Sequence, residues 1–172
     1  RFDEEASREG REDITDVFTC TIDPPDARDF DDAITIRAID PDHEAADDGA
    51  RYELGVHIAD VSYFVQANGA LDTDAFDRGN STYLPRRVLP MLPEVLSNGV
   101  CSLQEGVDRF AKSAFLRLTA RGKVVGQRFA NTLLRSDKRL TYLEAQALID
   151  DDLREARRHA ATEPKYSRQL DR

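Results

Sequence analysis

From position 23 to position 32 the chain reads Asp-Pro-Pro-Asp-Ala-Arg-Asp-Phe-Asp-Asp, five aspartates within ten residues. Residues 17–22 (VFTCTI) before it are β-branched and aromatic, and residues 33–39 (AITIRAI) after it alternate apolar and polar with period two. Both stretches read as strands. Two successive prolines cannot continue a hydrogen-bonded ladder, so the first strand stops at Asp23 and the acidic segment must connect two strands. Any fold that this chain adopts therefore carries concentrated negative charge at one end of a β-sheet. Mutual repulsion on a short ordered loop raises some carboxylate pKa values unless cations neutralise them.

The rest of the chain supplies the frame. Residues 1–16 are charged, with only Phe2, Ala6 and Ile14 apolar, and read as a linker or entry segment. Residues 40–50 read as a solvated hairpin loop and residues 52–59 (YELGVHIA) as a third strand, which makes 17–65 a β-meander. Residues 71–78 have weak helical spacing. Residues 83–93 (YLPRRVLPMLP) hold three prolines, which favours an extended, ordered loop, followed by one helical turn at 94–97 that Asn98-Gly99 stops. Residues 111–119 and 123–133 read as strands joined by a turn at 120–123. Thr141 and Glu144 form a capping-box pattern ahead of Leu143, Ala147, Leu148 and Ile149, predicting a helix that continues through residues 154–156. The fold class expected is mixed α/β, an irregular, mostly antiparallel β-core with a C-terminal helix.

Composition narrows the function classes. The 172 residues carry 24 Lys and Arg against 33 Asp and Glu, a net −9 that excludes a uniformly basic nucleic-acid binder. The average conceals a division. Residues 1–80 hold 7 basic and 22 acidic side chains, whereas residues 81–142 hold 11 basic and 4 acidic ones, interleaved with Tyr83, Phe110, Phe115 and Phe129. That middle stretch has the composition of an RNA-tracking surface. No apolar run reaches the roughly 18 residues that span a bilayer. Cys20 and Cys101 stand in no metal-binding pattern, read as small buried hydrophobes, and fit a reducing cytoplasm. The chain opens on Arg1 without a signal peptide, and it reads as a piece of a longer protein.

Four readings compete for the aspartates. A solvated acidic turn is the plainest, since Asp favours turns. A calcium EF-hand fails, because counting from Asp29 there is no Gly at position six and no Glu at position twelve. A phosphohydrolase with Asp29 as nucleophile would place it straight after an apolar strand, but the strand ends earlier. Magnesium suits the donor set, since it takes a few carboxylates and keeps waters and substrate phosphates. Two such ions ~3.5–4 Å apart clamp the attacking and leaving oxygens of a phosphodiester displacement.

Four blocks then point to one family. CTIDPPDARDFDDAI (residues 20–34), HIADVSYFV (57–65), STYLPRRVLPMLPEVLSNGVCSL (81–103) and GVDRFAKS (106–113) occur in the order and spacing of the ribonuclease II / ribonuclease R family, and resemble bacterial ribonuclease R most. The resemblance implies the front half of an RNB catalytic domain over residues 17–172, and a hydrolytic exoribonuclease that degrades single-stranded RNA from its 3′ end to nucleoside 5′-monophosphates with Mg²⁺. It carries the catalytic, metal-binding aspartates onto Asp23, Asp29, Asp31 and Asp32, with Asp31 the most critical, and leaves Asp26 as a surface residue. It also implies that Tyr83 packs on the terminal nucleotides and that Tyr142 lies near the RNA path; a core role for either tyrosine is the alternative. Arg86 and Arg87, and Arg109 with Lys112, are candidates for phosphate contacts or for a wet rim. His57 reads as structural, and Asp60 as the anchor of the turn after its strand. The family's second half supplies an arginine, a glutamate and a second stacking aromatic that have no counterpart here, and cold-shock-type and S1-type domains flank it. The chain alone is therefore expected to be weakly active or inactive, with a non-catalytic RNA-binding fragment as the alternative.

Overall fold

A computed structural model describes residues 8–40, 49–85 and 87–161. Among the described residues nine strands, four α-helices and one π-helical segment follow the chain: β1 (Glu12–Asp13), β2 (Thr19–Asp23), β3 (Asp32–Ala38), β4 (Tyr52–Ala59), α1 (Val61–Phe64), α2 (Ala70–Arg78), β5 (Thr82–Leu84), β6 (Arg87–Leu89), the π-helix (Leu96–Val100), β7 (Asp108–Leu118), β8 (Val124–Arg135), β9 (Lys138–Thr141), α3 (Tyr142–Ile149) and α4 (Leu153–His159). Seven strands form one sheet in the order β1-β8-β7-β4-β3-β2-β9, and β5 and β6 form a separate hairpin. The middle of the sheet is antiparallel, but both edge pairs, β1–β8 and β2–β9, are parallel. The mixed α/β class with a mostly β core is thus what the chain adopts.

Alternation along the strands fixes the two faces. On one face Ala33 of β3, Ala59 of β4, Ala111 and Phe115 of β7 and Leu134 of β8 pack with Ile14, Phe30, Cys101 and Leu103. On the other, Cys20, Leu140 and Ala145 form a smaller core under α3, and Ile36, Ile58 and Phe129 remain exposed. The first core contains a buried polar chain. His57 contacts Thr35 Oγ1 through Nε2 (3.0 Å) and Ser113 Oγ through Nδ1 (2.7 Å), and Ser113 Oγ lies 2.6 Å from Thr132 Oγ1. Gly55 is required beside it, because a Cβ there would strike Thr35 Oγ1 and come within 2.6 Å of His57 Nε2.

Four expectations change. The charged entry segment is built into the sheet from Glu12 onward: β1 pairs with β8, Ile14 is buried, and Arg11 reaches buried Asp60 at 2.8 Å. The proline-rich stretch is a hairpin rather than a loop, because Pro85 falls in the turn and Pro90 and Pro93 lie past the ladder. The capping box at Thr141 and Glu144 is present, but the helix does not run on. Asp151 has φ +58° and Asp152 caps a new helix through Glu155 N–H, so three consecutive aspartates end α3 and start α4. Finally, Arg109 is no wet-rim residue: its guanidinium donates to Ser102 O, Gly99 O and Gln104 Oε1. Among the described residues no helix is long and apolar enough to cross a membrane. Cys20 and Cys101 are free, buried thiols.

Candidate active site

The aspartate loop leaves β2 at Asp23 and enters β3 at Asp32. Its backbone is held from outside at nearly every step. Arg139 Nη2 donates to Pro25 O (2.7 Å), Pro24 O (3.2 Å) and Ala27 O (3.3 Å). Ser102 Oγ donates to Arg28 O and accepts from Phe30 N–H, both at 3.0 Å. Leu103 N–H reaches Phe30 O (2.9 Å) and Ala59 N–H reaches Asp31 O (2.8 Å). With the main chain anchored at these points, the carboxylates are left to face the solvent or a ligand.

Asp23, Asp29, Tyr83 and Arg87 line one open groove of about 760 Å³, together with Arg28 and the surface residue Asp26. Asp29 and Tyr83 also line an adjoining cavity of about 320 Å³, which Asp31 enters beside Cys101. Asp32 lines neither, but its charge acts on both Asp23 and Asp31. Tyr83 is 68% exposed and its hydroxyl stands 3.5 Å from Asp29 Oδ2. Tyr142 is also exposed, one residue past Thr141, which sits opposite Asp23 in the β2–β9 register, and it lines neither cavity. Arg86 lies outside the described residues.

Like charge dominates the electrostatics of the loop, with Arg139 opposing it at Asp23. Burial, with the charges of Asp32 and Asp29 adding to it, outweighs the lowering influence of Thr21 and Arg139 and pushes the Asp23 carboxyl above its usual range; burial and the charges of Asp29 and Asp32 raise Asp31. Among the described residues none of Asp23, Asp29, Asp31 and Asp32 is in an ion pair, and Asp23 Oδ2 is buried without a hydrogen-bond partner. No three His, Cys, Asp or Glu side chains among the described residues converge closely enough to hold a metal by themselves. Magnesium does not need such a cage, because one or two carboxylates plus waters and phosphate oxygens complete its shell. A hard-oxygen donor set with an orphaned buried carboxylate oxygen fits that ion.

Two residues that organise the loop, Ser102 and Arg139, carried no signal in the sequence. Ser102 sits in a block whose neighbours are apolar, and Arg139 looks like one of several surface cations until β9 is known to lie against β2.

Residues 11–172 match the model of the RNB domain. The chain is 41% identical over 160 residues to ribonuclease R of Acidithiobacillus ferrooxidans, covering 93% of this chain and 34% of that protein. It is 43% identical over 141 residues to DIS3-like exonuclease 2 of Schizosaccharomyces pombe, covering 81% and 14%. Mycoplasma genitalium RNase R in complex with double-stranded RNA superposes with a TM-score of 0.81 at 27% identity, over 99% of this chain and 27% of that one. Yeast Ssd1, a pseudonuclease, shares the fold with a TM-score of 0.69 at 18% identity, over 87% of this chain and 18% of that one. The chain thus spans about a third or less of these relatives. With the strand–loop–strand frame, the aspartate loop and the family model in agreement, this chain belongs to the RNB-domain family of ribonucleases.

Proposed function

We propose that the protein carrying this region is a magnesium-dependent exoribonuclease that hydrolyses single-stranded RNA from the 3′ end to nucleoside 5′-monophosphates. The observation that carries the reading is the meeting of Asp29, Asp31 and exposed Tyr83 around one cavity, beside half-buried Asp23, on a loop whose backbone is anchored at Pro24, Pro25, Ala27, Arg28, Phe30 and Asp31. Asp23, Asp29, Asp31 and Asp32 are the candidate metal ligands, one or two of them to an ion, with waters and phosphate oxygens completing its shell. Bound there, magnesium supplies charge stabilisation at the scissile phosphate and a more acidic water. Tyr83 presents an aromatic face to the terminal bases, worth roughly 1–3 kcal/mol per base without sequence preference. Arg87, on the same groove, is placed for a phosphate contact; Arg86 is assigned one by its charge beside Arg87 in the sequence, and Tyr142 is assigned to the RNA path by family resemblance alone. The anchored main chain limits reorganisation when RNA arrives, which is where preorganised sites gain their rate.

The activity belongs to the complete protein, because the chain spans only part of its relatives and a transition state needs positive as well as negative groups preorganised together. An alternative is a non-catalytic RNA-binding protein, favoured by one observation: the same fold occurs in a protein described as a pseudonuclease. The two separate in one assay. Single-stranded RNA labelled at its 5′ end is incubated with the full-length protein in Mg²⁺ and in EDTA. A ladder shortening from the 3′ end only with Mg²⁺ supports the exoribonuclease; internal fragments, or intact RNA that is nevertheless bound, would overturn it.

A further inference from the structure

The turn after β2 has an unusual deficit. Pro24 and Pro25 carry no N–H, so this segment offers carbonyls without the matching donors, and an ordinary backbone ladder cannot close it. The donors come from a side chain far along the sequence. Arg139, the second residue of β9, lies opposite Thr21 in the parallel β2–β9 register, and its own N–H is fixed to Glu105 Oε2 at 2.9 Å. Its guanidinium stacks 4.8 Å from the centre of the Phe30 ring and sends Nη2 to the carbonyls of Pro24, Pro25 and Ala27. Ala27 N–H closes the turn onto Pro24 O at 3.1 Å. The arrangement is costly, because Arg139 Nε is buried without a hydrogen-bond partner among the described residues.

We propose that Arg139 is a positioning residue for the aspartate site: its guanidinium clamps the 24–27 turn and thereby fixes where Asp23 and Asp29, on either side of it, hold their carboxylates. The proposal rests on the reading of those aspartates as a magnesium site. The flat guanidinium rests on the Phe30 ring and aims the two Nη2 hydrogens at the three carbonyls, and a lysine ammonium at the same position has no planar face to be held that way.

The sign of one effect separates clamp from counter-charge. If Arg139 mattered only as a positive charge near Asp23, its removal would relieve repulsion toward an incoming cation and tighten metal binding. If it is a clamp, removal loosens the carboxylates and weakens binding, although a like charge has been taken away. Loss of a group supporting a metal ligand commonly costs about 10–100-fold in affinity.

The test compares the chain with its Arg139→Gln and Arg139→Lys variants by two readouts. Amide hydrogen exchange without metal reports residues 26–30, with the β7–β8 hairpin as the folding control; Mg²⁺ titration by calorimetry reports affinity. Both variants are expected to lose protection at 26–30, to keep it in β7 and β8, and to bind Mg²⁺ about 10-fold more weakly. The lysine variant retains charge and much of the apolar stem, so it answers the question if the glutamine variant fails to fold. Unchanged exchange in a folded variant overturns the clamp. Loosened exchange with equal or tighter Mg²⁺ binding overturns the positioning role. If the wild-type chain binds no Mg²⁺ while both variants loosen the turn, the magnesium reading has failed and the clamp has not.

Discussion

Asp60 and Glu144 lie on one side of a division that runs through the molecule, and Asp23 and Asp31 on the other. Asp60 is 2% exposed and contacts Arg11 at 2.8 Å, with Lys112 at 3.5 Å; Glu144 and Lys138 are both fully buried and 3.5 Å apart. Asp23 is half-buried and Asp31 exposed, and the charges acting on both include other aspartates. A buried carboxylate with a cation is committed to the fold. A carboxylate held on an anchored backbone among its like is uncommitted, and its cost to the folded state is recovered only when a cation arrives from outside. The difference between these two sets marks where the family fold ends and the site begins.

The sharpest way to break the comparison is to orphan a committed charge. Glu144→Ala leaves Lys138 buried without its carboxylate and removes the capping box of α3, since Glu144 also accepts from Thr141 N–H. Urea unfolding should register a loss of about 3–5 kcal/mol. A value under 1 kcal/mol would mean that the pair is solvated rather than structural.

Acid attacks the same committed interior at His57. Burial pushes its imidazole from 6.5 down to about 4, because the Thr35–His57–Ser113 chain has no room for a solvated imidazolium. A folded pKa below the unfolded one gives stability that is present above pH 6.5 and is lost as pH falls toward 4. The drop across that window is on the order of 3 kcal/mol, and replacing His57 with Gln should flatten it. A wild-type stability independent of pH between 7 and 4 would sink this account.

Much of this division was hidden in the sequence, and the reasons are specific. The strands β2, β3, β4, β7 and β8 were legible because β-branched alternation is a local signal, and the aspartate loop was legible because Pro24-Pro25 must end a strand. Glu144 was legible only as a capping-box residue and Lys138 not at all, since nothing local says that β9 and α3 bury them. The entry segment read as a linker because β1 is two residues long and has no periodicity; its charges are spent on Arg128–Glu12 and Arg11–Asp60. Arg139 was invisible for the same reason as β9: a short parallel strand flush with a helix is set by its partner rather than by its own residues. The four family blocks carried the site aspartates and held Ser102 without marking its role, whereas Arg139 lies outside all four.

Opposite pH signs separate the two sets directly. Burial raises Asp60, but hydrogen bonds from Arg11 and Ser62 and the charges of Lys112 and Arg11 outweigh it, so its carboxyl titrates below the usual range. It stabilises the fold above that range, and the contribution fades as pH falls through the lowered value. Asp31 is raised, so its contribution is present below pH 3.8 and turns to a penalty as pH rises through the raised value. Asp60→Asn should therefore cost about 2 kcal/mol at pH 7. Asp31→Asn should leave Tm unchanged or raised by up to about 2 °C, while abolishing Mg²⁺-dependent cleavage by the full-length protein and sparing RNA binding. If both variants lose stability alike, the two sets of carboxylates are not different in kind.

The smallest effect on stability belongs to Tyr83, and its smallness is the point. The ring is 68% exposed on β5, in a hairpin held to the molecule by loops rather than by the main sheet, and its one polar contact is the long approach to Asp29. Asp29 is also what holds the phenol above its ordinary pKa, so Tyr83 stays neutral and presents an uncharged stacking face at any physiological pH. Tyr83→Ala should change unfolding free energy by no more than about 0.5 kcal/mol, the range of surface substitutions. If the ring stacks on the last bases, the same change should lengthen the end products of the full-length enzyme while cleavage of long RNA continues, and Tyr83→Phe should restore the wild-type product length. An unaltered product ladder with a destabilised hairpin would move Tyr83 to the committed side of the division, as packing rather than as part of the site.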